Sequence, residues 1–372
     1  MGPLEGIKVV EIAGIGPGPH ACMTLADLGA DVIRIERPGG NPLTAGPHDL
    51  LSRGRPSVAL DLKNPDAAAV VLDLVSRADA LIEGMRPGVA ERLGFGPAAA
   101  LARNPALVYG RMTGWGQSGP LADSAGHDLT YLATSGVLAT LGQSDETPQF
   151  PVNLLGDFGG GSTYLVIGVL AAIISARATG AGQVVDAAII DGVSHLDAMS
   201  AGLRSAGLAN AGRGQNLLDG GVPFYSIYTC ADGRHLAVGC LEPQFFAEFI
   251  NRLGVQESCP GQGEVARYDE MRELFATTLA TRTRDQWTAV FEGTDSCVAG
   301  VLTPAEAQSH PHVVARDIWQ GGQPAPAPRF SETKTHLTTG PSTPGADTTA
   351  ALTAWGVHNI EELLEKKVAI QA

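Results

Sequence analysis

The sequence predicts an α/β protein: a large first domain built on a parallel sheet, followed by a smaller α+β domain. Three observations carry this. Strand-like and helix-like apolar patterns alternate along the first half of the chain, which builds βαβ units and therefore parallel strands. A stretch rich in glycine and small residues at 205–221 separates that half from a hairpin pattern followed by helices. The 372 residues, 44% hydrophobic and 17% charged, suffice for two domains with a sizeable core and are too apolar for a disordered chain.

The first βαβ unit opens the chain. Lys8–Ile12 reads as a buried strand, Gly14-Ile15-Gly16-Pro17-Gly18-Pro19 as a turn, 20–28 as a helix stopped by Gly29, and Asp31–Glu36 as a second strand. The spacing is close to a dinucleotide fingerprint, with Glu36 at the place of the ribose reader. Pro19 in place of the third glycine, and Arg37 directly after the acid, argue against nicotinamide. A strand at 57–62 precedes a helix that Asn64-Pro65-Asp66 starts and that runs to about 77. Strands at 80–83 and 107–112 flank a turn and short helices between 87 and 104. A long apolar helix over 164–178 leads through Gly180-Ala181-Gly182 to a strand at 183–187 and a helix at 190–203. In the second domain, strands at 225–229 and 234–240 pair around Ala231-Asp232-Gly233. Helices are expected at 243–253, 268–280 and 284–291, with a strand at 297–302. A proline-rich segment at 323–328 leads to helices at 348–355 and 360–367, and no internal repeat is evident.

A formal net charge of -14 argues against a general nucleic-acid binder, so an anionic ligand must meet local cations. Arg37, Arg53, Arg55, Lys63, Arg86 and Arg92 supply them. Several follow strand ends, where α/β sheets place their ligand crevice, and a phosphate-rich ligand would explain them; solvated surface is the plainer alternative. Five scattered cysteines without a Cys-x-x-Cys pair point to neither a disulfide framework nor a metal site, and to a reducing compartment. A strand begins within the first ten residues, the C-terminus is no peroxisomal address, and the apolar run 164–174 falls short of the ~20 residues that span a bilayer. A soluble cytoplasmic protein is expected.

The two best acid/base candidates lie in 126–161. His127 reaches the start of a helix from a loop, and Asp157 sits in Gly156-Asp157-Phe158-Gly159-Gly160-Gly161 just before the long apolar helix. Taken singly, an aspartate before a helix caps it and a histidine after a glycine sits on the surface. The glycines are harder to explain, because each costs about 1 kcal/mol relative to alanine in a helix. Something is expected to come close to that backbone, and the pair suits proton chemistry.

With Gly14-Ile15-Gly16-Pro17-Gly18-Pro19, Ala26-Asp27-Leu28-Gly29-Ala30-Asp31-Val32-Ile33-Arg34-Ile35-Glu36, Arg86-Pro87-Gly88, Met112-Thr113-Gly114-Trp115-Gly116-Gln117, Ala125-Gly126-His127-Asp128 and the Asp157 motif, the chain resembles the family III CoA-transferase superfamily over nearly its full length. Within it, the chain resembles the α-methylacyl-CoA racemases. The resemblance implies a large Rossmann-like domain at 1–186 completed by 330–372, a linker at 187–222, a small α+β domain at 223–312 and a return linker at 313–329. It also implies an interlocked homodimer, which fits a second domain expected to have little core of its own. The CoA seat it implies comprises Arg37, Leu60-Asp61-Leu62-Lys63, Gly84-Met85-Arg86, Arg92, Gly126 and Asp128-Leu129-Thr130-Tyr131, with Met85 standing where a close relative carries tyrosine.

Transferases of the superfamily use the residue matching Asp157 as a nucleophile; racemases pair it with a histidine, here His127. The implied activity is inversion of C2 in 2-methylacyl-CoA thioesters by two-base proton transfer through an enolate, with no cofactor because CoA belongs to the substrate. Backbone N–H groups near Asp157 and the glycines would serve the enolate oxygen. A helix start favours ionised Asp157 whereas returning a proton needs the neutral acid, so burial must oppose the dipole. Glu242 matches the family acid that orients the histidine, acting from the partner subunit, or is an exposed glutamate at a helix start. A transferase, and an inert acyl-CoA binder that needs neither His127 nor Asp157, stay as alternatives, and the acyl chain stays open between a branched fatty acid and a sterol side chain.

Overall fold

The computed structural model describes residues 2–41, 46, 48–209, 212–337 and 339–372. The chain divides into two units, Met1–Ser135 with Pro151–Asp197 and Asp317–Ala372, and Gly136–Phe150 with Ala198–Arg316. Residues 136–150 thus go with the second unit, whereas the sequence reading runs the first domain unbroken to 186.

In the first unit, β1 (Lys8–Ile12), β2 (Asp31–Glu36), β3 (Ser57–Leu60), β4 (Ala80–Glu83), β5 (Val108–Thr113) and β6 (Gln183–Ala188) form a parallel sheet in the order β3-β2-β1-β4-β5-β6. A short strand from the other end of the chain, Ala369–Ile370, pairs antiparallel with β3. The order is that of a doubly wound sheet, whose ligand crevice lies where it reverses, here between β1 and β4. Helices α1 (Pro17–Asp27), α2 (Ala67–Val75), α3 (Val89–Arg92) and α4 (Pro97–Arg103) alternate with the strands. Asn64 starts the α2 region through its Oδ1, which accepts the Asp66 N–H at 3.1 Å. Val10, Ile12, Ile33, Ile35 and Leu81 pack with Val71 and Leu74 of α2, Leu352 and Trp355 into one core. Alternate side chains of a strand face opposite sides of the sheet. Glu11 and Arg34 therefore point away from that core and meet each other at 2.5 Å.

Helix α5 (Asp128–Thr134) follows β5, and a nine-residue π-helical segment, Leu154–Ser162, runs directly into α6 (Thr163–Thr179). Together they make one helix, Leu154–Thr179, long and apolar enough by length and composition to cross a membrane. This corrects the expectation of a run too short to do so, because the sequence reading treated the glycines as a break. Leu165, Val169, Ala172, Ile173 and Ala176 are buried, as in a helix that packs on a sheet; Ile167 and Ile174 stay 57% and 71% exposed. The expected helix at 190–203 is two, α7 (Ile189–Leu196) in the first unit and α8 (Ala198–Ser205) in the second.

In the second unit β7 (Tyr225–Thr229), β8 (His235–Gly239) and β9 (Val298–Gly300) form an antiparallel sheet. Helices α9 (Pro243–Leu253), α10 (Tyr268–Leu279) and α11 (Arg284–Phe291) bring Phe246, Phe249, Phe275, Trp287 and Phe291 into a core with Phe224 and Leu236. The expectation of little core here is thereby corrected. The aromatic rings of three helices fill it together with Val238, Leu253, Met271 and Leu279. Of the expected crossing at 205–221, residues 210 and 211 lie outside the described residues. Residues 212–221 are not a free linker: Asp219 accepts the N–H groups of Gly214 and Asn216 at 3.0 and 2.6 Å, and Arg213 donates to the Gln143 carbonyl at 3.0 Å.

Candidate active site

A cleft of about 560 Å³ opens where the sheet order reverses. Its walls come from the turn after β1 (Gly14 to Pro17), from Glu36 and Arg37 at the end of β2, and from Leu62, Gly84 and Met85; His127 and Asp157 both face into it. Glu36 is no ribose reader. It is buried, accepts from the Ser57 hydroxyl and lies 3.9 Å from Arg34. Beneath Met85, the buried Glu83 accepts the Met85 N–H at 2.6 Å and pairs with Arg111 at 3.1 Å, fixing the turn that carries Gly84 and Met85.

Asp157 does not cap a helix; it stands inside the π-helical segment, a geometry that is rare and recurs at functional sites. Its N–H is not free for an enolate, because it donates to Asp128 Oδ2 at 2.7 Å. Asn153, four residues earlier, donates to Asp157 Oδ2 at 3.1 Å, and Gly16 is close enough that a Cβ there would lie 3.3 Å from the same oxygen. Burial pushes the Asp157 carboxyl above its ordinary range; the Asn153 hydrogen bond and His127 oppose this, and the charge of Asp128 adds to it. The conflict between helix dipole and proton return is thus resolved towards a carboxyl that keeps its proton more readily.

What approaches the glycine-rich backbone is protein. A Cβ on Gly160 would lie 2.7 Å from the Val193 nitrogen, one on Gly161 2.9 Å from Ile189, and one on Gly192 only 1.8 Å from the Gly160 carbonyl. α7 therefore lies directly against the segment that carries Asp157. His20 of α1 also packs on this segment, stacking on Phe158 with ring centroids 4.6 Å apart, its Nδ1 2.6 Å from the Ser162 hydroxyl.

His127 precedes α5, and Thr130 locks its main chain: the hydroxyl accepts the His127 N–H at 3.0 Å and donates to the His127 carbonyl at 2.7 Å. Thr130 is thus a brace for His127, where the sequence reading assigned it to CoA. Tyr131 is buried, and its ring occupies the space over Gly114 and Gly126, where a Cβ would come within 1.9 and 2.5 Å of it. Those glycines, and Trp115 edge-on to Tyr131 at 4.8 Å, explain two of the sequence motifs by packing. Asp128 turns inward to Asp157, and Leu60 is wholly buried in the core, so neither side chain is turned to a nucleotide.

Residues 4–348 match CoA-transferase family III. The chain belongs to that family. It is 42% identical over 368 residues to the α-methylacyl-CoA racemase of Mus musculus, covering 97% of this chain and 93% of that one. To the racemase of the same name from Homo sapiens it is 43% identical over 338 residues, covering 89% and 87%. Among solved structures, a CaiB/BaiF family protein from Brucella suis superposes with a TM-score of 0.82 at 26% identity, covering 95% of this chain and 99% of that one.

In this family III protein the candidate phosphate ligands separate into two groups. Arg53 is buried against Asp27 at 2.6 Å and donates to the Pro324 carbonyl at 2.8 Å, and Arg55 is buried against Glu11 at 3.3 Å. Both are structural, which corrects their reading as ligand cations. Arg37 lines the cleft and is exposed, its Nε donating to the Gly40 carbonyl at 2.6 Å. Lys63, Arg86 and Arg92 are exposed and enter no ion pair among the described residues, and Asp61 shapes the turn before Lys63 by accepting its N–H at 3.1 Å. Leu129 is 42% exposed. Glu242 lies in the second unit, exposed, at the residue preceding α9.

Proposed function

We propose that the protein is an α-methylacyl-CoA racemase that inverts C2 of 2-methylacyl-CoA thioesters. The observation that carries this reading is one cleft holding both a histidine and an aspartic acid biased to keep a proton. The names of the mouse and human relatives support it. The C2 proton of a thioester is weakly acidic, so inversion needs a base on one face and an acid on the other. With one substrate hand His127 takes the proton, the electrons pass into the thioester as an enolate, and neutral Asp157 returns a proton to the opposite face. With the other hand the roles reverse. No cofactor takes part, since CoA arrives with the acyl group. Deuterium exchange at C2 in heavy water tests the reading. A racemase exchanges and inverts with no second substrate, a transferase requires an acceptor acid, and an inert binder does neither.

On this reading the CoA phosphates meet Arg37, Lys63, Arg86 and Arg92, while Leu62 and Met85 pack beside the nucleotide. Arg86→Ala should weaken acyl-CoA binding by about 1.5–3 kcal/mol, the worth of a charge-assisted hydrogen bond, without changing the unfolding midpoint. Calorimetry showing unchanged affinity for Arg86→Ala and Arg92→Ala would place the ligand elsewhere.

The racemase is further proposed to be a cytoplasmic homodimer. Ile167 and Ile174 leave apolar surface on α6 that a second copy would cover, and Glu242 of the partner subunit would orient His127. Light scattering should give twice the chain mass at micromolar concentration; a folded, active monomer there would remove the dimer.

A further inference from the structure

One buried acid beside the site has no role in the scheme above. Asp128 is 6% exposed, its Oδ2 accepts the Asp157 N–H at 2.7 Å, and its Oδ1 has no hydrogen-bond partner among the described residues. Gly156 makes room for it, since a Cβ there would lie 2.3 Å from Oδ2. An acid in the first turn of a helix interacts with the helix dipole from the surface, so stabilising α5 does not require this burial. Burying a carboxylate with an unmet oxygen is costly.

The titratable groups that bear on Asp157 come from the α5 region, His127, Asp128 and Tyr131, while Arg34, Glu36 and Arg37 at the end of β2 line the same cleft. α1 turns the uncharged Gly16 towards it, with His20 against Phe158, and α7 packs there through Ile189, Gly192 and Val193. Among these, Asp128 is the acid whose side chain bonds the Asp157 main chain.

We propose that Asp128 is a positioning residue for Asp157: its side chain accepts the Asp157 N–H and holds that main chain in the π-helical turn, setting a second carboxyl group against Asp157 so that a proton is available for return to C2. The proposal rests on the racemase reading for its catalytic meaning. The hold on Asp157 is structural and can be measured without turnover. Burial is the larger cause of the raised Asp157 titration, and Asp128 adds to it.

The test uses the full chain labelled with ¹³C at the aspartate carboxyls, the Asp157 resonance being assigned by its loss in Asp157→Asn. Asp128→Asn preserves an acceptor for the Asp157 N–H and removes the charge. It should lower the Asp157 midpoint by about one unit, and since one unit is a tenfold change in proton occupancy, slow inversion at C2 about tenfold. KM for the acyl-CoA should stay within about twofold, because no ligand contact is removed. Where Asp128→Asn does not fold, Asp128→Ser, which also accepts the N–H without charge, should give the same shift. An unchanged Asp157 midpoint, or a loss confined to KM, overturns the inference. A wild-type protein that exchanges no C2 proton would instead sink the racemase reading, and the titration would still decide whether Asp128 governs Asp157.

Discussion

Asp157→Ala is expected to lose inversion at C2 by about 10²- to 10⁴-fold, the range that a positioned acid/base group contributes, while retaining part of the chemistry. With Asp157 gone, His127 can still remove the proton from the substrate enantiomer whose hydrogen faces it and return deuterium to that same face. That enantiomer should therefore exchange in heavy water with retention, and its mirror partner should not. His127→Ala should show the opposite preference, leaving exchange only where the hydrogen faces Asp157. A nucleophilic Asp157, the transferase chemistry, predicts a different pattern: an acyl-enzyme anhydride that hydroxylamine traps, with release of free CoA on a single turnover. Trapping and CoA release at the rate of turnover would end the racemase reading. Retained CoA with enantiomer-dependent exchange in the two variants supports it.

Most of the sheet was legible because its strands are short, largely apolar runs with glycine or proline close to one end or both. Lys8–Ile12, Asp31–Glu36 and Ala80–Glu83 begin and end where the pattern places them. Helix Pro243–Leu253 is equally clear, opened by a proline in its first turn and closed by Gly254 at φ 80°. The π-helical segment was not legible. Its hydrogen bonds span five residues, for which apolar spacing gives no pattern, and four glycines in nine residues read as a break. With the segment went its consequences: Asn153 as a donor to Asp157, and α7 lying against Gly160 and Gly161. His127 and Asp157 themselves could be picked out, and the cleft does bring them together. What the residue pattern could not decide is which arginines are spent inside the fold. Arg53 and Arg86 look alike in sequence. Asp27, the acid that occupies Arg53, stands 26 residues away and meets it only through the βαβ packing.

Arg55 is the sharpest case of that ambiguity, and Arg55→Ala is expected to destabilise the protein by about 3–5 kcal/mol, the cost of breaking a buried ion pair from one side. Arg55 and Glu11 are each 1% exposed and lie 3.3 Å apart, and the Arg55 Nη1 also donates to the Pro19 carbonyl at 2.8 Å in α1. Removing the guanidinium leaves Glu11 with Arg34 alone and strands the Pro19 and Leu51 carbonyls without that donor. With total stabilities of 5–15 kcal/mol typical of a domain, such a loss takes a large share of the whole. Urea unfolding should show it as a much lower midpoint, while acyl-CoA affinity measured on the folded fraction stays unchanged. Arg55→Met, which refills most of the space and leaves the Glu11–Arg34 pair intact, should recover part of the loss. If Arg55→Ala instead unfolded at the wild-type midpoint and bound acyl-CoA weakly, Arg55 would be a phosphate ligand after all, and the buried pair would carry no stability.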